Sequence, residues 1–424
     1  MAQTANYLEI LQSELIPALG CTEPIAVALA AAKAREVLGC FPEKLELHCS
    51  GNVVKNVKGV IVPCSGGRKG LDIAGALGAI SGDASKGLQV LENTTPDDIQ
   101  RAQRLLSEGF VHCELAEGVE NLYIRACACA GEHCAEVTIA HKHNCVTRIC
   151  KDGNVIFHRD AAAASSVDKS GMSLRGILDF AGTVPLEQVE NLLDTQIKCN
   201  SRIAAEGLQA PYGAEVGRTL LKAEGSAVNV RARAYAAAGS DARMSGCTLP
   251  VVINSGSGNQ GLTVSLPVIE YAKEWKIEKA QLYRALLVSN LLAIHIKQYI
   301  GSLSAFCGAV SAACAAGAAI TYMAGGSYEQ IASTIVNTLG NTSGIVCDGA
   351  KASCAAKISS SIEAALLAHH MAMNGNVFPA GDGLVQDDIE STIQNIGYLG
   401  RVGMQKTDVT ILNLMLGNIN LSAG

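Results

Sequence analysis

The chain has no excess of positive charge. Its 424 residues carry 33 Lys and Arg against 39 Asp and Glu, a formal net charge of -6, which leaves no broad electrostatic reason to bind nucleic acid or an anionic membrane. The opening stretch, MAQTANYLEILQSELIPALG, lacks a basic region followed by an apolar one and instead sets Glu9 and Glu14 on an amphipathic pattern; no signal peptide is expected. Sixteen cysteines are present, but they are scattered through a long chain rather than packed into a short secreted one. A reducing cytoplasm is therefore the expected compartment, with thiols free or bound to metal. The run from Gly301 to Gly326 lacks any charged residue and is long enough to span a bilayer. It is built of Ala, Gly and Ser rather than Leu, Ile and Phe and follows His295, Lys297 and Gln298, so a closely packed core helix is expected.

The length suits more than one domain. A first helix over 5–18 turns through Gly20, Cys21, Thr22, Glu23 and Pro24 into a second, AVALAAAKAREVLG, with Pro24 at home in a first helical turn. LELHCS and VKGVIVPC alternate as strands, and CSGGRKGLDIAGALG follows, where a glycine turn with Arg68 and Lys69 feeds a helix and could cradle an anion. Residues 97–108 read as a helix. NLYIRACACA, HCAEVTIAHK, NCVTRIC and NVIFHR then form an antiparallel meander. Its cysteines, with His133, His141 and His143, invite a metal reading, although nothing there repeats the paired C-x2-C of zinc modules. The expected architecture is α+β: an N-terminal α+β domain over 1–160, a Ser and Ala rich linker over 161–172, and a large helical domain over 173–424. Within that domain a polar loop over 254–261, SGSGNQG at its centre, offers backbone amides and the side chains of Ser255, Ser257 and Asn259 to a small carboxylate.

Two sets of cysteines carry chemistry. Cys307, Cys347 and Cys354 stand 40 and then 7 residues apart in uncharged, small-residue surroundings. Three thiols at so loose a spacing suit an iron-sulfur cluster with one open metal position better than a closed zinc site; the plain alternative is three buried cysteines. Cys21 lies at or just before a helix N-terminus, where the helix dipole and free amides favour a thiolate, making it a candidate nucleophile or base.

Read together, LGCTEPIAVALA, SGNVVKNVKGVIVPCSGGRKGLDIAGALG, SGSGNQG, SAFCGAVSAACAAGAA and GIVCDGAKASCAAK resemble the L-cysteine desulfidase family, which is related to the α domain of iron-sulfur L-serine dehydratases. The resemblance runs over essentially the whole chain. It implies a 4Fe-4S enzyme without pyridoxal phosphate that converts L-cysteine to hydrogen sulfide, ammonia and pyruvate and is sensitive to oxygen. It also implies Cys21 as proton acceptor and Cys307, Cys347 and Cys354 as cluster ligands. The expected partner is a small amino acid, with no nucleic acid and no membrane, in a homo-oligomer.

Helix geometry adds a condition. Seven residues of straight helix would part Cys347 and Cys354 by about 10 Å, so the chain must turn at Asp348 and Gly349. The same parts would eliminate water from serine, and an iron-sulfur L-serine dehydratase stays open as an alternative. A pyridoxal phosphate lyase would need a Schiff-base lysine, for which no diagnostic local motif is present. A non-catalytic iron-sulfur redox sensor would need a partner surface, and no basic face or DNA-binding element is visible.

Overall fold

The computed structural model describes residues 6–160 and 167–418. The chain opens with α1 (Tyr7–Glu14), a short strand β1 (Pro17–Leu19) and α2 (Thr22–Leu38). A six-stranded sheet follows, built from β2 (Lys44–Ser50), β3 (Val111–Ala116), β4 (Tyr123–Ala130), β5 (His133–Ala140), β6 (Val146–Lys151) and β7 (Asn154–His158). Its order is β3-β2-β4-β5-β6-β7, with β2 and β3 parallel and the other neighbours antiparallel. Alternation sets its faces: Ile124, Ala126 and Ala128 are buried toward α2, while Arg125 and Cys127 point the other way. Between β2 and β3 lie α3 (Gly51–Lys58), α4 (Leu71–Ser81) and α5 (Pro96–Ser107). The last starts on a capping box of Thr95 and Asp98 with Pro96 in its first turn.

The remainder is helical, apart from β8 (Pro250–Val252). It comprises α6 (Leu174–Thr183), α7 (Glu190–Gln209), α8 (Val216–Glu224), α9 (Val228–Met244), α10 (Gly258–Glu274), α11 (Lys279–Ile300), α12 (Gly308–Met323), α13 (Tyr328–Asn341), α14 (Cys354–Met373), α15 (Ile389–Tyr398) and α16 (Gln405–Leu416). Alanine and glycine let these helices approach closely. A Cβ on Gly317 of α12 would stand 2.9 Å from the Ala365 carbonyl of α14, so α12 is the tightly packed core helix its composition predicts. Among the described residues no helix is long and apolar enough to cross a membrane.

Four expectations change. The first helix is shorter than 5–18, since α1 ends at Glu14 and Pro17–Leu19 form β1. VKGVIVPC is not a strand: residues 51–58 form α3, whose buried Val53 and Val57 follow a helical period, and 59–64 run on without regular structure. The polar loop over 254–261 ends early, because Ser257 caps α10 by accepting from the Gln260 amide and helix begins at Gly258, carrying Pro267 inside it. Cys129 and Cys134 are joined in a disulfide rather than left as free or metal-bound thiols. Of the expected linker, residues 161–166 lie outside the described residues. One hydrophobic core runs through both halves, and β1 pairs antiparallel with β8, Pro17 opposite Val252 and Leu19 opposite Pro250. That pairing sets the segment around Cys21 beside the loop that precedes α10.

Candidate active site

Each of the three distant cysteines is held by backbone that its neighbours fix. Cys307 is the N-cap of α12 and Cys354 is the first residue of α14. Cys347 lies in the connecting loop, where its amide donates to the Ala305 carbonyl at 2.6 Å while the Cys307 amide donates to the Ile345 carbonyl at 2.8 Å. These bonds stitch 305–307 against 345–347 in antiparallel fashion, with Phe306 opposite Val346. Beyond Cys347 the chain turns as the spacing requires. Gly349 sits at φ 94°, a left-handed conformation that favours glycine, and a Cβ there would stand 2.5 Å from the Lys55 carbonyl. Helix resumes only at Cys354.

Cys21 is the N-cap of α2, and it lines the same buried cavity of about 100 Å³ as Cys307, Cys347 and Cys354. Ser255, Ser257 and Asn259 line it as well. The N-terminal ends of α2, α10, α12 and α14 therefore converge on one space. Each helix start presents unpaired amides and the positive end of its dipole, worth about 0.3–1 kcal/mol toward an anion. Arg68 and Lys69 do not take part. Both are exposed on the turn before α4, outside the lining, where the Arg68 backbone closes the turn with Ser65.

The cavity also gathers residues that no sequence motif singled out as site residues. From α9 comes Arg243, 2% exposed, whose Nε has no hydrogen-bond partner among the described residues. Lys297 of α11 is 6% exposed and lines both this cavity and a larger one of about 320 Å³ next to it. His143, Ser255, Gly256 and Ser302 form the rest of the shared wall, which makes the larger space an antechamber. Asn56 Oδ1, Asn259 Oδ1 and Gln260 Oε1, all on residues of the lining, are likewise without a partner among the described residues. Unpaired buried polar groups cost free energy unless something completes them. Their convergence marks a place built for a polar ligand.

Cys21 meets its surroundings differently from expectation. Its thiol donates to Glu23 Oε2 at 2.9 Å. Burial first, then the Glu23 carboxylate, push the Cys21 thiol well above its ordinary range, while Arg243 pulls the other way. The helix terminus alone does not outweigh burial beside an anion. Burial also works to raise the Glu23 pKa, yet His143, the Cys21 thiol and Arg243 hold it well below the usual carboxylate range. Asn56 Nδ2 donates to Glu23 Oε1 at 2.9 Å, and His143 Nε2 stands 3.4 Å from the same oxygen. His143 arrives on the turn between β5 and β6, so the meander supplies one wall of the site.

Among the three distant cysteines, a hydrogen bond from Cys307 and the Lys55 charge hold Cys347 below the ordinary thiol range, against burial. Cys307 and Cys354 are pushed up, Cys307 by its interaction with Cys347 and by burial, Cys354 by burial. Lys55, itself buried, pairs with Asp408 Oδ1 at 2.5 Å, and Asp408 Oδ2 accepts from the Ala305 amide at 2.9 Å. The donor set fits a polynuclear iron-sulfur group. The three thiols come from separate segments onto one cavity, with cations nearby to offset thiolate charge. They are more widely spread than the ligands of a single ion: among the described residues the Cys, His, Asp or Glu group whose donor atoms all lie within 4.8 Å of one another is Cys127, Cys129 and Cys134.

Comparison with known proteins gives the family. Residues 85–413 match the family described as serine dehydratase alpha chain. A UPF0597 protein of Lachnoclostridium phytofermentans is 51% identical over 413 residues, covering 97% of this chain and 99% of that one. A UPF0597 protein of Treponema denticola is 47% identical over 420 residues, covering 97% of each.

Proposed function

The chain belongs to the serine dehydratase alpha chain family, and from that premise we propose that it is an iron-sulfur lyase that eliminates the β-substituent of a small amino acid. The substrate we assign is L-cysteine, giving hydrogen sulfide, ammonia and pyruvate. The observation that carries the reading is the meeting of Cys21, Cys307, Cys347, Cys354 and the incompletely paired Arg243 on one buried cavity.

In this reading Cys307, Cys347 and Cys354 hold a 4Fe-4S cluster. When bound, that group supplies a Lewis-acidic position able to polarise the substrate carboxylate and its leaving group. Arg243 and Lys297 hold the carboxylate, Arg243 through a planar fork that matches it. Asn259 and Gln260 offer carbonyl oxygens without partners among the described residues, suited to the α-ammonium. Ser255 and Ser257 order the loop instead: the Ser255 hydroxyl donates to Asn254 Oδ1 at 2.9 Å, and Ser257 caps α10.

Cys21 Sγ takes the α-proton. Its resting proton lies on the bond to Glu23, so as substrate binds it must ionise, the proton leaving to solvent by way of the adjoining larger cavity. The substrate ammonium beside Glu23 offsets the charge that keeps the thiol protonated, and Arg243 acts in the same direction. The mostly buried lining limits water at the carbanion while the leaving group departs; the aminoacrylate formed tautomerises after release to an imine, which one water hydrolyses to pyruvate and ammonia.

Serine is the second reading, and the matched family's description is what favours it. Anaerobic reconstitution with iron and sulfide, followed by sulfide and pyruvate assays on L-cysteine and L-serine, decides between them. We expect sulfide and pyruvate in equal amounts from cysteine at the higher kcat/KM. Pyruvate from serine alone would make the protein a dehydratase. A loaded cluster with no product from either would end the lyase reading.

A further inference from the structure

We infer that Cys127, Cys129 and Cys134, when reduced, form a second metal site that takes one thiophilic cation of the zinc class, remote from the buried cavity. The hairpin between β4 and β5 builds it. Cys129 and Cys134 face each other directly across the two strands, and Cys127 lies two residues earlier on the same face of β4. A short turn at Gly131, φ 57°, fixes the register. The sulfurs of Cys127 and Cys129 are 3.7 Å apart. Thiolates bound to zinc at about 2.3 Å in a tetrahedron are separated by about 3.8 Å, so two corners of the site already have their spacing. All three donor atoms lie within 4.8 Å of one another.

The disulfide between Cys129 and Cys134 is the oxidised form of the same place, and it leaves Cys127 unexplained. A bridge needs two cysteines, whereas a third thiol in reach of both is what a metal needs. Glu136, opposite Cys127 on β5, is engaged by Arg148 at 2.6 Å, which leaves the fourth position to water. Cys127 and Cys134 are half-buried on the sheet face away from α2, so a cation has access. The site is at the far end of β5 from His143, about 20–25 Å of strand away, and is independent of the chemistry proposed for the cavity.

A phosphine converts the bridge to two thiols, taking the oxygen of one water as the sulfurs take its two protons. Zinc then displaces up to three thiol protons to solvent. The test compares reduced full-length protein with Cys127→Ser, Cys134→Ser and, as a control on an exposed thiol elsewhere, Cys40→Ser, each titrated with zinc against a competing chelator. The parent and Cys40→Ser should hold one tight equivalent more than Cys127→Ser and Cys134→Ser, whose affinity at this site should fall at least tenfold. Protein left unreduced should also lack that equivalent. Because the measure is a difference between proteins, it stands whatever the three buried thiols hold. Cys127→Ser keeps the disulfide, so its fold can be verified before reduction. Equal zinc in all four reduced proteins would overturn the proposal.

Discussion

The molecule holds two sets of three cysteines, and the tighter set is the less suited to catalysis. Cys127, Cys129 and Cys134 are neighbours along one hairpin with their donor atoms within 4.8 Å, but they lie on a half-buried sheet face beside no cavity of the site. Cys307, Cys347 and Cys354 are spread wider and come from separate segments, yet they line a buried space that also receives four helix N-termini and the incompletely paired Arg243. Closeness of thiols thus marks a place for one ion. What marks a substrate site is room together with polar groups left incomplete by the fold.

The largest expected effect separates the two sets directly. Replacing Cys307, Cys347 or Cys354 by Ser should reduce anaerobically reconstituted iron and its visible absorption to background, and turnover with it. Cys127→Ser should leave iron and turnover at the parent level. Prolonged aeration with a chelator should likewise abolish activity by removing the iron. Full activity after that treatment would end the iron-sulfur reading, and loss of iron in Cys127→Ser would reverse the roles of the two sets.

Next comes Arg243, which gives the buried set its electrostatic partner. Arg243→Ala should cost about 2–5 kcal/mol in kcat/KM, roughly 30-fold to several thousand-fold, because a buried substrate carboxylate would lose the bidentate one of its two charge partners and keep only Lys297. Arg243→Lys should recover little, since a point charge does not reproduce the planar fork. Iron content should be unchanged in both variants. If Arg243→Ala retains parental kcat/KM, the carboxylate is held elsewhere.

How much of this was legible beforehand follows from the range of the interactions involved. The meander and the helical half are local patterns, periods of 2 and 3.6, and both are where alternation and apolar spacing place them. The turn at Gly349 follows from helix rise together with the shared ligation that the resemblance implies, because seven helical residues cannot bring two sulfurs to one cluster. VKGVIVPC reads as a strand because its short apolar run has no feature that separates a strand from the end of a helix followed by buried irregular chain; here Val57 closes α3, and Val60 and Val62 are buried without pairing in a sheet. Arg68 and Lys69 misled because a glycine turn with cations reads alike whether it faces a ligand or water. Arg243 and Glu23 could not be ranked from sequence, since what distinguishes them is burial beside one cavity, a product of elements far apart in the chain. The one local trace was a charged Asp241 and Arg243 at the end of an alanine-rich helix.

A smaller effect, on pH rather than on maximal rate, tests the proton path that only the buried set possesses. The Glu23 charge raises the Cys21 pKa, so Glu23→Gln should lower it, and the acid limb of the kcat/KM profile should move to lower pH if Cys21 must ionise. An acid limb that stays in place, with iron retained, would remove Cys21 from the proton-transfer step. Movement to higher pH would show that Glu23 aids ionisation instead of opposing it.

The smallest effect on catalysis belongs to the hairpin, where stability and turnover should part company. Cys129 and Cys134 are five residues apart in sequence, so their bridge closes a very short loop. The chain-entropy estimate for so short a loop is about 2 kcal/mol, an upper figure because the hairpin turn already restricts the unfolded chain locally. Cys134→Ala should therefore lower the stability of the oxidised protein, read from its denaturant midpoint, by no more than that amount and leave kcat/KM unchanged, and under reducing conditions even the stability difference should shrink toward zero. A fall in turnover larger than the loss of folded protein would mean that the hairpin communicates along β5 with His143, and the two sets of cysteines would have to be read as one system.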